Sequence, residues 1–404
     1  MELVRVFFLA WGLTCSLLFF GWPDASASQG KPNSSQPRHA EVMGTTGLDV
    51  YRDGKSIHLL LEEELSGQPP RLLYCRSADG GRSFSLPVYL PTNFTPVAGH
   101  RGADPQIAAL GKKITIAWTG HGSGYMGRGK IGIAYSHDGG KSWLSGKNPA
   151  DDNDSNGGHG FLDLCFDPGG RCHLVWLDER DGRVGLRAAF SDDGGKSWSA
   201  NRTIDPETCT CCPNTLLNVG STLFVLYRMA HPRDTGLAVS FDRGEGWKRV
   251  GPLGDFHWEF LGCPHWGAGM AALSSGQKVI LCAAVQTGKP ERAGLYFLKS
   301  TDLGWNWSAP LVLAGPRGRF VDLAAAGQTL CAAWEDSGPN TSRVVASLSV
   351  DGGNSWSPPK AVSEDGTWAT HPRVVGTEDG FLLLWTESRD LIQYRWNAAR
   401  IDLR

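Results

Sequence analysis

The octapeptide SDDGGKSW, Ser191 to Trp198, and its near copy SHDGGKSW, Ser136 to Trp143, govern how the rest of the chain is read. The same form, Ser-x-Asp-x-Gly-x-x-aromatic, returns as SADGGRSF (Ser77 to Phe84), SFDRGEGW (Ser240 to Trp247), STDLGWNW (Ser300 to Trp307) and SVDGGNSW (Ser349 to Trp356). Successive serines lie 59, 55, 49, 60 and 49 residues apart, a period that suits one small four-stranded sheet per repeat. Each residue type has a local task. Ser and Asp bond neighbouring backbone in a tight turn, Gly takes conformations closed to other residues, and the aromatic anchors the turn in the core.

The flanks repeat with the octapeptide. Residues 104 to 143 run DPQIAAL, KKITIAWTG, a Gly-rich loop, KIGIAYSHDGG and a final strand, four strand-like runs bounded by turn residues. The order recurs at 161 to 198, 213 to 247, 264 to 307 and 320 to 356, with an initial unit before Ser77 and an unboxed unit from His371. This pattern predicts an all-β chain, a β-propeller of four-stranded blades spanning residues 41–404 as a single domain. Seven blades are expected. Six remain the alternative if the first and last stretches pool their strands. Residues Glu41 to Thr46 are expected to pair beside the last unit and close the ring.

The octapeptides resemble the Asp-box, or bacterial neuraminidase (BNR), repeat family of sialidase-like β-propellers. Gly246 and Asn306 replace the Ser of the pattern, and Phe84 replaces Trp. The resemblance implies that the boxes join the third and fourth strands of each blade, on the rim away from the binding face. It also implies a sialidase scheme: three arginines on a substrate carboxylate, a Tyr nucleophile paired with Glu, and an Asp acid/base. The chain offers Arg180, Arg228 and Arg373, with Tyr227, Glu179 and Asp104. It departs from the family where the first clamp arginine is expected, reading Ala103-Asp104-Pro105-Gln106-Ile107 with no Phe/Tyr-Arg-Ile-Pro signature.

The remaining candidates on the binding face include Arg101, Arg128, His159, His265 and Trp266, a mixture of Arg, His, acids and aromatics suited to a glycan or small anionic ligand, with a protein partner as the other reading. As an enzyme the protein would be an exo-sialidase-like glycoside hydrolase. As a non-enzyme it would be a binding or assembly scaffold. Lys plus Arg number 39 against 41 Asp plus Glu, a balance that excludes a polybasic nucleic-acid binder.

Residues 1–27, with Arg5, an apolar run to Trp22 and Ala25-Ser26-Ala27, read as an export signal. A retained anchor is the alternative, and 28–40 form a polar lead-in. The mature chain is therefore expected to be secreted or periplasmic, with no stable membrane span after cleavage. Nine cysteines follow the signal in a compartment where disulfides persist. Cys165 and Cys172 flank a turn and could bridge. Cys75, Cys282 and Cys331 lie in apolar runs as buried thiols. Cys209, Cys211 and Cys212, with Cys263, could form disulfides or, beside His265, hold Cu or Zn. Asp151 to Asp154 could hold calcium or stay a solvated loop.

Overall fold

Short runs of β-branched, aromatic and Leu residues alternate with Gly- and Asp-rich turns, and successive runs pair antiparallel with one another. The computed structural model describes residues 6–8, 42–92, 95–99, 102–152, 157–275 and 278–403. Val6–Phe8 is β1. Val42–Asp53, Ser56–Leu65, Gln68–Ser77 and Val88–Tyr89 (β2 to β5) form the first four-stranded sheet. The second is Gln106–Leu110, Lys113–His121, Arg128–Ser136 and Leu144–Ser145 (β6 to β9), and the third His159–Phe166, Cys172–Asp178, Gly185–Ser191 and Arg202–Asp205 (β10 to β13). Thr215–Val219, Thr222–Arg228, Thr235–Ser240 and Lys248–Pro252 (β14 to β17) make the fourth, and Gly269–Ser275, Lys278–Thr287, Gly294–Ser300 and Leu311–Ala314 (β18 to β21) the fifth.

Gly318–Ala326, Thr329–Ser337, Ser342–Ser349 and Lys360–Ala361 (β22 to β25) continue into Trp368–Gly376, Gly380–Ser388 and Arg395–Asp402 (β26 to β28) as one eight-stranded sheet with β1. One residue pair, Ser342 with Trp368, joins its two halves. The outer edge of β28 is taken by Val6–Phe8, paired along Ala399–Ile401. That corrects the place expected for Glu41 to Thr46: Val42 onward pairs with β3 instead, and the Thr45 N–H donates to the Tyr394 carbonyl. Val6–Phe8 lies within the stretch read as an export signal. The rest of that signal, the lead-in at 28–40, Glu41, Arg101, Asn153 and Asp154 fall outside the described residues.

Apolar layers fill the space between successive sheets, and Leu382 and Leu384 of the last pack with Leu48 and Leu59 of the first. Because each sheet is covered on both faces, the second strands are buried along their length, as in Cys172–Asp178 and Gly380–Ser388. Trp118, Trp176, Trp334 and Trp385 repeat at one position of those strands, nearly inaccessible. The outermost strands Val88–Tyr89, Leu144–Ser145 and Lys360–Ala361 are exposed.

Every box joins a third strand to a fourth, as the resemblance implied. In the third box the Ser191 hydroxyl donates to Asp193 Oδ1 at 2.8 Å and accepts the Gly195 N–H at 2.7 Å, while Asp193 accepts the Ser197 N–H at 2.9 Å. Asn306 substitutes for the second Ser by donating through its amide to Asp302, and Gly246 keeps only the backbone bond to Asp242. The fifth residue of the box must be Gly. At Gly140 φ is +85° and an added Cβ would lie 2.4 Å from the Tyr74 ring of the preceding sheet.

The first strands are laced to one another. Asp49, Gln106, Asp163, Thr215, Gly269, Asp322 and Arg373 hold one register position on successive first strands. Asp49 accepts the Ile107 N–H at 2.9 Å, Asp163 that of Leu216 at 2.6 Å, and Asp322 that of Val374 at 2.8 Å. Arg373 returns to Asp49 at 3.8 Å.

Candidate functional site

Loops between second and third strands gather at the end of the sheets opposite the boxes. Three of them carry a single 3₁₀ turn, at Tyr125–Gly127, Arg180–Gly182 and Pro290–Arg292. Between the third and fourth sheets these loops bound a cleft of about 470 Å³ lined by Glu179, Arg183, Glu207, Thr210, His231 and Arg233, among others. Arg128, almost fully buried on β8, braces its wall. Its Nε donates to the Tyr125 carbonyl at 2.9 Å, Nη2 to the Thr210 carbonyl at 3.2 Å, and Nη2 lies 3.4 Å from Glu179 Oε1. Burial pulls the Arg128 pKa down against the pull of Glu179.

An aromatic stack adjoins this cleft. Trp258 lies parallel to Phe260 at 5.2 Å and to Trp266 at 5.6 Å. Arg233 ties the stack to the cleft, its N–H donating to the Trp258 carbonyl at 2.6 Å and its Nε to the Phe260 carbonyl at 3.0 Å. Phe260 and Leu261 are exposed.

Beneath Thr210 sit three buried thiols. Cys209 Sγ is 3.8 Å from Cys211 Sγ and 3.5 Å from Cys212 Sγ. The sulfur of Cys263 stands apart, 3.4 Å from Thr210 Oγ1 and partly exposed. The cysteines among the described residues are all unbridged. A second donor group centres on His159, which donates through Nδ1 to the Gly129 carbonyl at 2.8 Å, so Nε2 faces Asp152 Oδ2 at 3.2 Å and Asp178 Oδ2 at 3.5 Å.

The BNR/Asp-box repeat family model matches residues 189–200, the third box and its flanks. Solved structures share the wider fold. The microbial sialidase Hz136 of the Hadza aligns over 84% of this chain and 73% of its own, at 16% identity and a TM-score of 0.51. A Trypanosoma rangeli sialidase aligns over 90% of this chain and 55% of its own, at 11% identity and a TM-score of 0.51. The chain carries a BNR/Asp-box repeat and shares the sialidase-like β-propeller fold. An ulvan lyase of polysaccharide lyase family PL25, solved bound to -[GlcA(1-4)Rha3S]-, shares the fold with a TM-score of 0.57 at 10% identity, over 90% of this chain and 96% of its own. No curated protein sequence matches the chain.

The propeller does not assemble the expected hydrolase constellation. Tyr227 is a core residue of β15 whose hydroxyl donates to Asp205 Oδ2 at 2.8 Å, and burial, reinforced by the Asp205 charge, raises its pKa. Glu179 pairs with Arg128 instead. The three arginines share no partner among the described residues. Arg180 is fully engaged by Asp178, Asp151 and Asn201. Arg228 donates to the carbonyls of Arg233, Gln286 and Trp266. Arg373 sits among the carboxylates of the first strands, 3.7 Å from Asp104.

Burial pushes Asp163 up to about 7 and Asp49 to about 6, with Arg373 opposing both. Glu62, also raised to about 7 by burial, lies in the field of Asp104. Glu62 sits inside the run SIHLLLEEE and had no motif to mark it, because it meets Asp104 only through tertiary packing.

The cysteine expectations divide. Cys75, Cys282 and Cys331 are buried thiols. Cys165 and Cys172 do not face each other. Phe166 is the residue opposite Cys172, so the two sulfurs lie on opposite faces of the sheet and in different apolar layers. His265 is exposed at the mouth, with φ of +59°, outside the group of three converging sulfurs.

Proposed function

We propose that the protein is an exported, seven-bladed propeller that binds an acidic glycan in the cleft between its third and fourth sheets, and that its role is binding. The observation that carries this reading is the joining of Arg233, on the wall of a cleft holding Arg183 and His231, to the Phe260–Trp258–Trp266 stack. Sugar rings present apolar faces that aromatic rings cover, and guanidinium groups pair with carboxylates or sulfates. The fold is shared with proteins whose names describe sialidases and a uronate-bound lyase, which supports a carbohydrate ligand. The seven-blade reading is supported by the single residue pair that joins the halves of the eight-stranded sheet and by the packing of the last sheet on the first. Among the described residues no helix is long and apolar enough to cross a membrane.

Affinity electrophoresis through gels holding an acidic polysaccharide, such as a polyuronate or ulvan, or a neutral dextran tests the proposal. The acidic gels should retard the chain and the dextran should not. Phe260→Ala and Arg183→Ala, both at exposed positions, should each weaken retardation about tenfold with unchanged thermal unfolding. Equal mobility in all gels would end the reading.

A further inference from the structure

The three converging sulfurs are the best-formed donor group in the molecule, and their surroundings choose an occupant. Cys209-Thr210-Cys211-Cys212 lies in the connection between β13 and β14, with all three side chains nearly inaccessible. Sulfurs bound to one metal at about 2.3 Å stand about 3.8 Å apart on tetrahedral arms and about 4.0 Å apart on trigonal ones. The separations of 3.5 and 3.8 Å are within a few tenths of an ångström of that spacing. The adjacent pair Cys211 and Cys212 is badly placed for a disulfide, since neighbouring Cα atoms lie about 3.8 Å apart and bridged ones at least about 4.4 Å.

Charge distinguishes the candidates. Each thiol lies in the field of its own arginine: Cys209 with Arg233, Cys211 with Arg128, and Cys212 with Arg228. Arg128 is already balanced by Glu179. Arg228, almost fully buried, and Arg233 have no carboxylate within 4.0 Å among the described residues, and Arg228 Nε has no hydrogen-bond partner. The buried charge of Arg228 needs an anionic partner, and the half-buried Arg233 adds a second positive charge beside the thiols. Three thiolates around a monovalent cation carry a charge of −2 and balance both. Around Zn²⁺ they carry −1, and zinc would also need a fourth ligand, whereas the Cys263 sulfur lies outside the group. Soft thiolates select Cu(I).

We propose that Cys209, Cys211 and Cys212 bind one Cu(I) ion as a three-thiolate site. Binding exchanges three S–H protons for three Cu–S bonds, and copper stays monovalent throughout. Thr208 and Thr210 line the open cleft above the cluster, which gives the ion a route inward. The partly exposed Cys263 stands beside Thr210 on that route. This inference shares Arg233 and the cleft with the glycan reading but does not rest on it, since its ligands are the three sulfurs.

The test is an anaerobic titration of the reduced, full-length chain with Cu(I) against a chromogenic Cu(I) chelator, with a parallel Zn(II) titration. One Cu(I) per chain should be withheld from the chelator. Cys211→Ser and Cys209→Ser should each weaken uptake by about 100-fold or more, and Cys75→Ser should leave it unchanged. Because buried substitutions can impair folding, alkylation of the wild type gives a second readout: Cu(I) should protect Cys209, Cys211 and Cys212 from iodoacetamide and leave Cys263 reactive. X-ray absorption should show three sulfur neighbours. No uptake by the folded wild type, uptake unaffected by Cys211→Ser in a folded variant, or stoichiometric zinc uptake that copper cannot displace would each overturn the proposal.

Discussion

The box-bearing rim and the opposite face are built from similar residues with opposite bookkeeping. On the rim the Ser and Asp side chains of each box are spent on their own turn, and the buried atoms without hydrogen-bond partners among the described residues include four equivalent indole N–H groups, at Trp143, Trp198, Trp247 and Trp356. On the other face the buried atoms without hydrogen-bond partners among the described residues include Arg128 Nη1, Asp152 Oδ2, His159 Nε2, Glu179 Oε1 and Arg228 Nε, some of which lie within ion-pair distance of one another. Their residue types vary from sheet to sheet, as where Thr119, Arg228, Gln286 and Glu335 hold one register position of the second strands, whereas the box residues repeat. Repetition here marks scaffold, and irregular polar groups left open under burial mark the places where the molecule departs from its scaffold.

Four perturbations probe this contrast. The largest effect belongs to the face. His159→Leu removes the nitrogen that faces both Asp152 and Asp178, and should cost about 3 kcal/mol or more in urea denaturation, because it leaves two buried carboxylates without the group between them. A value under about 1 kcal/mol would mean that the two carboxylates are satisfied without it. Next is the rim. Gly140→Ala, at φ of +85° and 2.4 Å from the Tyr74 ring, should cost about 3 kcal/mol through strain and overpacking. The matched change on the face, Gly182→Ala, meets nothing within 4 Å at φ of +70° and should cost about 1 kcal/mol. Equal losses at the two glycines would dissolve the distinction between them.

The smallest effect is in the pH profile, where rim and axis should move in opposite senses. Asp79 is held near 2 because bonds from Ser83 and Ser77 outweigh the burial that would raise it. Its contribution is present above the ordinary value of about 4 and is lost as pH falls through 2. Asp163 is raised by burial to about 7. The stability tied to its protonated form is present below about 4 and is lost as pH rises through 7. Denaturation midpoints should therefore decline from pH 5 to pH 8 in the wild type and decline less steeply in Asp163→Asn, which keeps an oxygen for the Leu216 N–H and leaves Asp49 and Glu62 to titrate. Asp79→Asn should change only the profile below about pH 4. An unchanged slope in Asp163→Asn would show that the first-strand carboxylate stays charged.

The rim was legible in sequence because its defining chemistry is local: the hydrogen bonds that the Ser and Asp side chains of a box make within their turn span at most four residues, as from Gly195 to Ser191. The strands and their order followed from the spacing of the boxes. The face was legible only as a composition. Tyr227, Arg228 and Arg180 lie on the expected strands and loops, yet their partners are Asp205, three backbone carbonyls and Asp178, which only the folded arrangement determines. Cys165 and Cys172 flank a turn as anticipated, and a shift of one residue in register separates them. Cys209, Cys211 and Cys212 converge because they lie within four consecutive residues, so the loop alone brings them together. Cys263, some fifty residues away, was the member that did not join.

The register position shared by the first strands is not filled uniformly. Asp49, Asp163 and Asp322 each fasten the following first strand, and Thr215 donates to the Ala268 carbonyl at 2.5 Å. Gln106 and Gly269 make no such bond to the next strand. At Gly269 an added Cβ would lie 2.6 Å from the Leu323 backbone nitrogen, so that junction is closed by bare backbone packed against backbone. The molecule therefore resembles a belt whose run of buckles is broken by two plain overlaps, at Gln106 and Gly269. In hydrogen exchange, amides bordering the overlap between β18 and β22 should open before those under the Asp163 and Asp322 buckles, and the molecule would yield first along that line.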